Sequence, residues 1–260
     1  MLSRRIWLIG GTQESVNLAA AIASIALPCI VSVTTASARC LYPTAANLQV
    51  WVGRLNPTQM LQFLQQQQIV AILDASHPYA VEISESAIAL AQNNHIPYLR
   101  YERPNVDPGL NSASVINLDS FDTLLAGSYL HSCRVLLTVG YRFLHLFQPW
   151  QQRSTLFARI LPSAIALTSA FNAGFTPERL ICLRPPICAD LEKALWRQWQ
   201  ISVVVTKASG TPGGEDIKRS LAAQLGIQLI LIDRPVVNYP QQTSDLATAI
   251  KFCCQCIANN

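Results

Sequence analysis

Short runs of consecutive apolar residues, each ended by a glycine, serine or aspartate turn and followed by helical spacing, recur along the 260 residues. The first run, Ile6-Trp7-Leu8-Ile9, stops at Gly10-Gly11, and residues 12–25 then place Val16, Ala19, Ala20 and Ala23 on one helical face. A short run with no polar alternation belongs to a strand covered on both faces, which is the strand of a parallel sheet. Residues 29–34, 69–73 and 97–100 read as further strands. Between them, Asn56 caps a helix with Pro57 at its first position and Met60, Leu61 and Leu64 on one face, and a second helix fits residues 80–92. A polar, proline-containing loop over 103–114 interrupts the pattern. It restarts with strands at 135–139, 179–183, 201–206 and 228–232 and helices at 162–172, 189–199, 216–225 and 244–257. The expectation is an α/β chain of two tandem Rossmann-like domains with parallel sheets. Residues 1–125 would form a cofactor-binding domain and 126–260 an α/β domain closing an interdomain cleft.

Composition narrows the function classes. Half the residues are hydrophobic and 13% are charged, against about 25% in an average domain, so the chain has the apolar surface to fold and is not disordered. A net charge of +4 without any Lys/Arg run does not describe a nucleic-acid binder and suits a small anionic ligand. No run of about 18 apolar residues is present, so no membrane span is expected, and the first apolar run is too short for a signal peptide. The chain is expected to be cytoplasmic, a monomer or small homo-oligomer. Of the eight cysteines, Cys253, Cys254 and Cys256 cluster. Adjacent cysteines on a helix point about 100° apart, and no histidine lies near to complete a ligand set. All are read as small buried hydrophobes, and no metal is expected.

Three constellations carry chemistry. Gly10, Gly11, Thr12, Gln13 and Glu14 follow the first strand, where glycine lets backbone approach a phosphate and a helix start attracts anions. Ser15 stands where the dinucleotide fingerprint has its third glycine, so a plain strand–helix turn with a threonine cap stays open as a second reading. The second strand ends in Thr34-Thr35-Ala36-Ser37-Ala38-Arg39, with no acid for a ribose 2′-hydroxyl and one arginine for a 2′-phosphate. Thr35 and Arg39 therefore point to NADPH if a dinucleotide binds, Arg39 as a solvated loop residue being the alternative. Asp74-Ala75-Ser76-His77-Pro78-Tyr79 places a histidine after a buried strand, either a proton shuttle or a turn residue. Lys207, Ser209 and Gly210 follow the strand at 201–206 and would meet a phosphate or carboxylate. Arg54, Arg103, Arg142 and Arg184 sit near loop ends; each alone reads as a scattered surface arginine, and several converging would suit a polycarboxylate. The chain has no nucleophile elbow, His-Glu-x-x-His motif or aspartate-rich cluster, which leaves hydrolase and metalloenzyme chemistry without residues.

In order along the chain, Ile9-Gly10-Gly11-Thr12-Gln13-Glu14, Val52-Gly53-Arg54-Leu55, Asp74-Ala75-Ser76-His77-Pro78-Tyr79-Ala80, Tyr101-Glu102-Arg103-Pro104, Leu137-Thr138-Val139-Gly140, Arg159-Ile160-Leu161-Pro162, Val205-Thr206-Lys207-Ala208-Ser209-Gly210 and Asp233-Arg234-Pro235 resemble the precorrin-6A reductase family of cobalamin biosynthesis, cobalt-precorrin-6A reductases included. The resemblance implies two α/β domains with the cofactor between them and an NADPH-dependent reduction of one ring double bond in a tetrapyrrole, giving a product of the precorrin-6B type. It also implies proton delivery to the ring, for which His77 or Tyr79 is a candidate, solvent or a substrate carboxylate being the alternatives. Two departures stand out: Pro185-Pro186-Ile187-Cys188 replaces the family's Gly-Pro-Phe-Ser, and Ala208 stands where an acid is usual. They leave two competing readings, a non-catalytic or altered-specificity tetrapyrrole- or nucleotide-binding protein and a dehydrogenase for another small anion.

Overall fold

The computed structural model describes residues 4–106 and 114–259. The sequence-expected loop over 103–114 therefore lies partly outside the described residues. The strands are β1 (Arg5–Ile9), β2 (Cys29–Val33), β3 (Leu48–Val52), β4 (Ile69–Asp74), β5 (Tyr98–Tyr101), β6 (Val115–Leu118), β7 (Arg134–Leu137), β8 (Thr155–Ile160), β9 (Leu180–Cys182), β10 (Val203–Lys207), β11 (Gln228–Ile232) and β12 (Gln242–Thr243). Among the described residues they form two six-stranded sheets, β12-β5-β4-β1-β2-β3 and β6-β11-β10-β7-β8-β9. Every strand pairing within them is parallel. The α/β class expected from the strand–helix alternation is the observed one.

Both sheets follow one winding rule. The chain lays β1, β2 and β3 outward in one direction, then returns past β1 to place β4 and β5 on the other side; β7, β8, β9, β10 and β11 repeat this. The reversal puts a crevice at the carboxyl ends of β1 and β4, and another at β7 and β10, where ligands bind open α/β sheets.

The sixth position of each sheet is filled out of turn. β6 leaves the first half of the chain to pair with β11, and β12 returns from the end of the chain to pair with β5. The compact units are accordingly Met1–Pro104 with Val236–Asn260, and Asn105–Pro235. The division differs from the boundary expected at 125/126. β6 and the helix α5 (Phe121–Ala126) go with the second sheet, and the C-terminal helix α9 (Leu246–Ala258) goes with the first. A linear reading of strand–helix alternation assigns each element to its neighbours in sequence, and strand pairing overrides it.

Alternate residues of β1 serve the two faces of the first sheet. Ile6 and Leu8 pack with Leu18, Ala19 and Ile22 of α1 (Gln13–Ser24) and with Ala249, Cys253 and Cys256 of α9. Trp7 and Ile9 pack with Met60 and Phe63 of α3 (Pro57–Gln66) and Ala87, Ile88 and Ala91 of α4 (Val81–Asn93). The second sheet buries Leu136, Phe157, Val204, Leu229 and Leu231 under Trp196, Leu221 and Ala222. The Asn56 cap on α3 is present as expected, its side chain accepting from the Gln59 amide at 2.9 Å. Of the cysteines, Cys29, Cys253 and Cys256 are buried, whereas Cys40, Cys182, Cys188 and Cys254 are exposed, so the reading of all eight as buried hydrophobes is corrected. No helix among the described residues is long and apolar enough to cross a membrane.

Candidate functional site

In the first unit the site begins at the turn between β1 and α1. Gly11 has φ +107°, a conformation that favours glycine, and a Cβ built there would meet no atom within 4 Å. The turn is open to a ligand above Gly11. Gly10 is closed: its Cβ would lie 2.4 Å from the Tyr42 hydroxyl and 3.3 Å from the Ser32 carbonyl oxygen. Thr12 caps α1, accepting from the Ser15 amide at 3.1 Å and donating to the Ala75 carbonyl at 2.8 Å. That second bond ties the glycine turn to the loop after β4. Three turn amides are satisfied internally, Gly10 by the Ser32 carbonyl and Gly11 and Thr12 by hydroxyl groups. The Gln13 and Glu14 amides make no hydrogen bond among the described residues, and they stand at the positive end of α1. The threonine cap thus consumes the inner donors of the turn and leaves the outer two.

Asp74, the last residue of β4, is fully buried beside this turn. One carboxylate oxygen accepts from the Ser76 amide at 2.9 Å and Arg100 at 3.0 Å, the other from Ser84 at 2.6 Å and Tyr98 at 2.7 Å. Arg100, 1% exposed, also donates to Ser76 Oγ at 3.0 Å and Glu102 at 2.8 Å and lies 5.2 Å from the centre of the Tyr239 ring. Burial and the Asp74 charge push the Tyr98 phenol up, which keeps it a donor. Asp74 is therefore the anchor of the loop that presents His77, not a free acid. His77 is half-buried; its Nδ1 accepts from the Tyr79 amide at 3.2 Å, and the two rings are 5.7 Å apart. With Nδ1 accepting, a neutral His77 carries its proton on Nε2.

Further along the carboxyl edge, Thr35 caps the short helix α2 (Ala36–Arg39), accepting from Ala38 at 3.3 Å, and Arg39 is exposed. Arg54 is exposed after β3. Arg103 pairs with Glu14 at 2.7 Å, so a residue expected to hold substrate and one expected to hold cofactor are partners.

The second unit gathers positive charge at its own switch point. Lys207 ends β10, its ammonium 5.0 Å from the centre of the Phe143 ring. Burial, with help from the nearby Arg142 charge, lowers its pKa to about 8. Gly140 opens the 3₁₀ segment Tyr141–Trp150 with φ +84°, and a Cβ there would be 3.9 Å from Lys207 Nζ. The loop amides that follow Lys207 are spent. Ala208 donates to the Ile232 carbonyl, Ser209 to the Lys207 carbonyl, and Gly210 to the Glu215 carboxylate at 2.9 Å. Glu215 thus occupies the start of α8 (Glu215–Leu225), and the loop is not a backbone phosphate cradle. Lys218 holds it from below through the Gly213 and Gly214 carbonyls at 2.7 and 3.1 Å.

Sequence reasoning missed Tyr42, Arg100 and Tyr98. None stands in a motif, and each acquires its role through a partner elsewhere in the chain. Only the tyrosine and arginine beside strand ends offered any signal, and that was composition alone.

Two sheets in this strand order, one with a glycine turn at its switch point and an acid-free edge after its second strand, are the frame of a dinucleotide-handling α/β protein. The family model described as precorrin-6x reductase CbiJ/CobK matches residues 5–254. A cobalt-precorrin-6A reductase of Synechocystis sp. is 46% identical over 95% of this chain and 95% of its own length. A precorrin-6A reductase of Rhodococcus erythropolis is 31% identical over 95% and 96%. A solved CobK precorrin-6A reductase, 23% identical, shares the fold with a TM-score of 0.77 over 98% of this chain and 97% of that one. The chain belongs to the CbiJ/CobK precorrin-6x reductase family and is an oxidoreductase. A reductase of this kind works with a nicotinamide cofactor, and the open face over Gly11 with the two outward amides at Gln13 and Glu14 fits its phosphates.

Proposed function

We propose that this chain reduces one ring double bond of precorrin-6A or cobalt-precorrin-6A in corrin-ring biosynthesis, in the cytoplasm, with NADPH as reductant. Family membership supports the reaction, and the opening over Gly11 is the observation that carries the cofactor assignment. When bound, the nicotinamide supplies a hydride to one carbon of the double bond, and the other carbon takes a proton. The turn at Gly10, Gly11 and Thr12, with the Gln13 and Glu14 amides, receives the pyrophosphate. Thr35 and Arg39 face the 2′-phosphate, there being no acid at this edge to repel it. Lys207 holds an anion, a cofactor phosphate or a substrate carboxylate, with Ser209 and Gly210 shaping its loop. Arg54, Arg103 and Arg142 bind the substrate carboxylates, Arg103 while braced by Glu14. His77 and Tyr79 are the candidate groups for delivering that proton, and the Tyr79 backbone N–H holds the His77 ring by a hydrogen bond to Nδ1.

Anaerobic incubation with NADPH and each substrate form, followed by absorbance, tests the reading. NADPH oxidation with one or both forms is expected, and none with either overturns it. Arg39→Ala should cost NADPH about ten- to hundredfold in affinity and leave NADH unchanged, as loss of one charge-assisted contact predicts. Equal losses for both nucleotides would remove Arg39 from the site.

A further inference from the structure

The hydroxyl of Tyr42 closes a directed hydrogen-bond chain under the glycine turn. Ser15 Oγ donates to the Thr12 carbonyl at 2.7 Å, so its single proton is committed. With that proton committed, we assign the 2.6 Å contact between Ser15 Oγ and Tyr42 Oη as the phenol donating to the serine. Tyr42 Oη in turn accepts the Gly11 N–H at 2.8 Å, the shorter branch of a bond that Ser15 Oγ shares at 3.1 Å. The order is Gly11 N–H to Tyr42, Tyr42 to Ser15, Ser15 to the Thr12 carbonyl. Burial pushes the Tyr42 phenol up, which keeps this proton in place.

The same residue reaches the other nucleotide-facing segment through its backbone. The Tyr42 N–H donates to the Arg39 carbonyl at 3.3 Å, directly behind α2. Tyr42 is 7% exposed, and its hydroxyl fills the space that a Cβ on Gly10 would need. One side chain therefore joins the turn that carries Gly11 to the turn that carries Thr35 and Arg39.

We propose that Tyr42 is a positioning residue for the nucleotide: its hydroxyl fixes the turn at residues 35–39 relative to the glycine turn and so sets the preference for NADPH over NADH. The inference rests on the reading of the first unit as the NADPH site. The 2′-phosphate is the only group that distinguishes the two nucleotides. A loosened tether costs contact with that phosphate beyond what both nucleotides share.

Binding of NADPH and NADH to the full chain, measured by calorimetry, tests this on wild type, Tyr42→Phe and Gly11→Val. Phenylalanine keeps the ring and removes the tether. Tyr42→Phe should weaken NADPH about tenfold, the size of one buried hydrogen bond, and NADH about threefold or less. The ratio of the two dissociation constants then shrinks by at least about threefold. An unchanged ratio overturns the proposal, whether both affinities fall together or neither falls, since a purely structural role would lower the melting temperature without changing discrimination. Should Tyr42→Phe not fold, Ser15→Ala breaks the chain at its next link and is held to the same ratio. The underlying reading fails differently: a folded Gly11→Val with wild-type affinity for both nucleotides moves the site elsewhere and takes the proposal with it.

Discussion

Lys207 carries the clearest titration at the residue scale. Its ammonium loses hydration on burial and faces the Arg142 charge, and both effects favour the neutral amine, so it titrates at about 8. The lysine is charged below that value and neutral above it. Affinity for the anion it holds should fall as pH rises through about 8, by about ten- to hundredfold for one charge-assisted bond. Dissociation constants of nucleotide and substrate measured from pH 6.5 to 9.5, an arbitrary bracket of about 1.5 units either side, identify which ligand shows the step. Lys207→Ala should abolish it, and a step that persists in that variant assigns it to another group. The loop after Lys207 offers no competing explanation, because its amides are bound to Ile232, Lys207 itself and Glu215. In sequence, Lys207, Ser209 and Gly210 read as a loop that would meet a phosphate or carboxylate. Glu215, five residues beyond Gly210, takes the Gly210 amide instead.

At the scale of elements, β4 and β5 are joined by more than their ladder. Asp74 and Arg100 form an ion pair with side chains 0% and 1% exposed, and Ser76, Ser84 and Tyr98 complete the carboxylate's bonding. A buried pair of this kind adds little over an apolar pair, but removing one partner strands the other charge. Arg100→Met should destabilise the first unit by about 3–5 kcal/mol, read as a lower denaturant midpoint at unchanged slope. The change in Asp74→Asn/Arg100→Met should be smaller than the sum of the two single changes. Additive losses would show that the residues do not act as a pair. Elements with strong local signals were legible: the Asn56–Pro57 cap and the predominantly apolar strands β1, β2, β4, β10 and β11. β3, β8 and β12 were not. β3 is half-buried at a sheet edge, β8 mixes Thr155 and Arg159 with apolar residues, and β12 has two residues. β6 was hidden by its position, because it pairs with β11, more than a hundred residues on.

For the whole molecule, the return of β12 and α9 to the first sheet makes the units unequal in sequence. Residues 105–235 are continuous and contain their whole sheet, whereas the first unit needs both ends of the chain. Without residues 236–260 its sheet loses β12, and the face under α9 loses Ala249, Cys253 and Cys256, all 7% exposed or less. A 105–235 fragment should unfold cooperatively alone. A 1–104 fragment should not, until a 236–260 peptide is added. Circular dichroism and thermal melts of the three pieces check this, and a cooperative melt of 1–104 alone would show that the C-terminal return is dispensable. Periodicity, turn residues and caps act within about ten residues. The sequence by itself therefore determined the α/β class, the two sheets, the glycine turn at Gly10-Gly11, the acid-free edge at Arg39 and the family. Strand order, the chain from Gly11 through Tyr42 to Ser15, the partners of Asp74 and the capture of the 210 amide by Glu215 were decided only by tertiary structure. A parallel sheet pairs strands that are distant in the chain, and a buried polar group takes whichever partner that packing brings within hydrogen-bond reach.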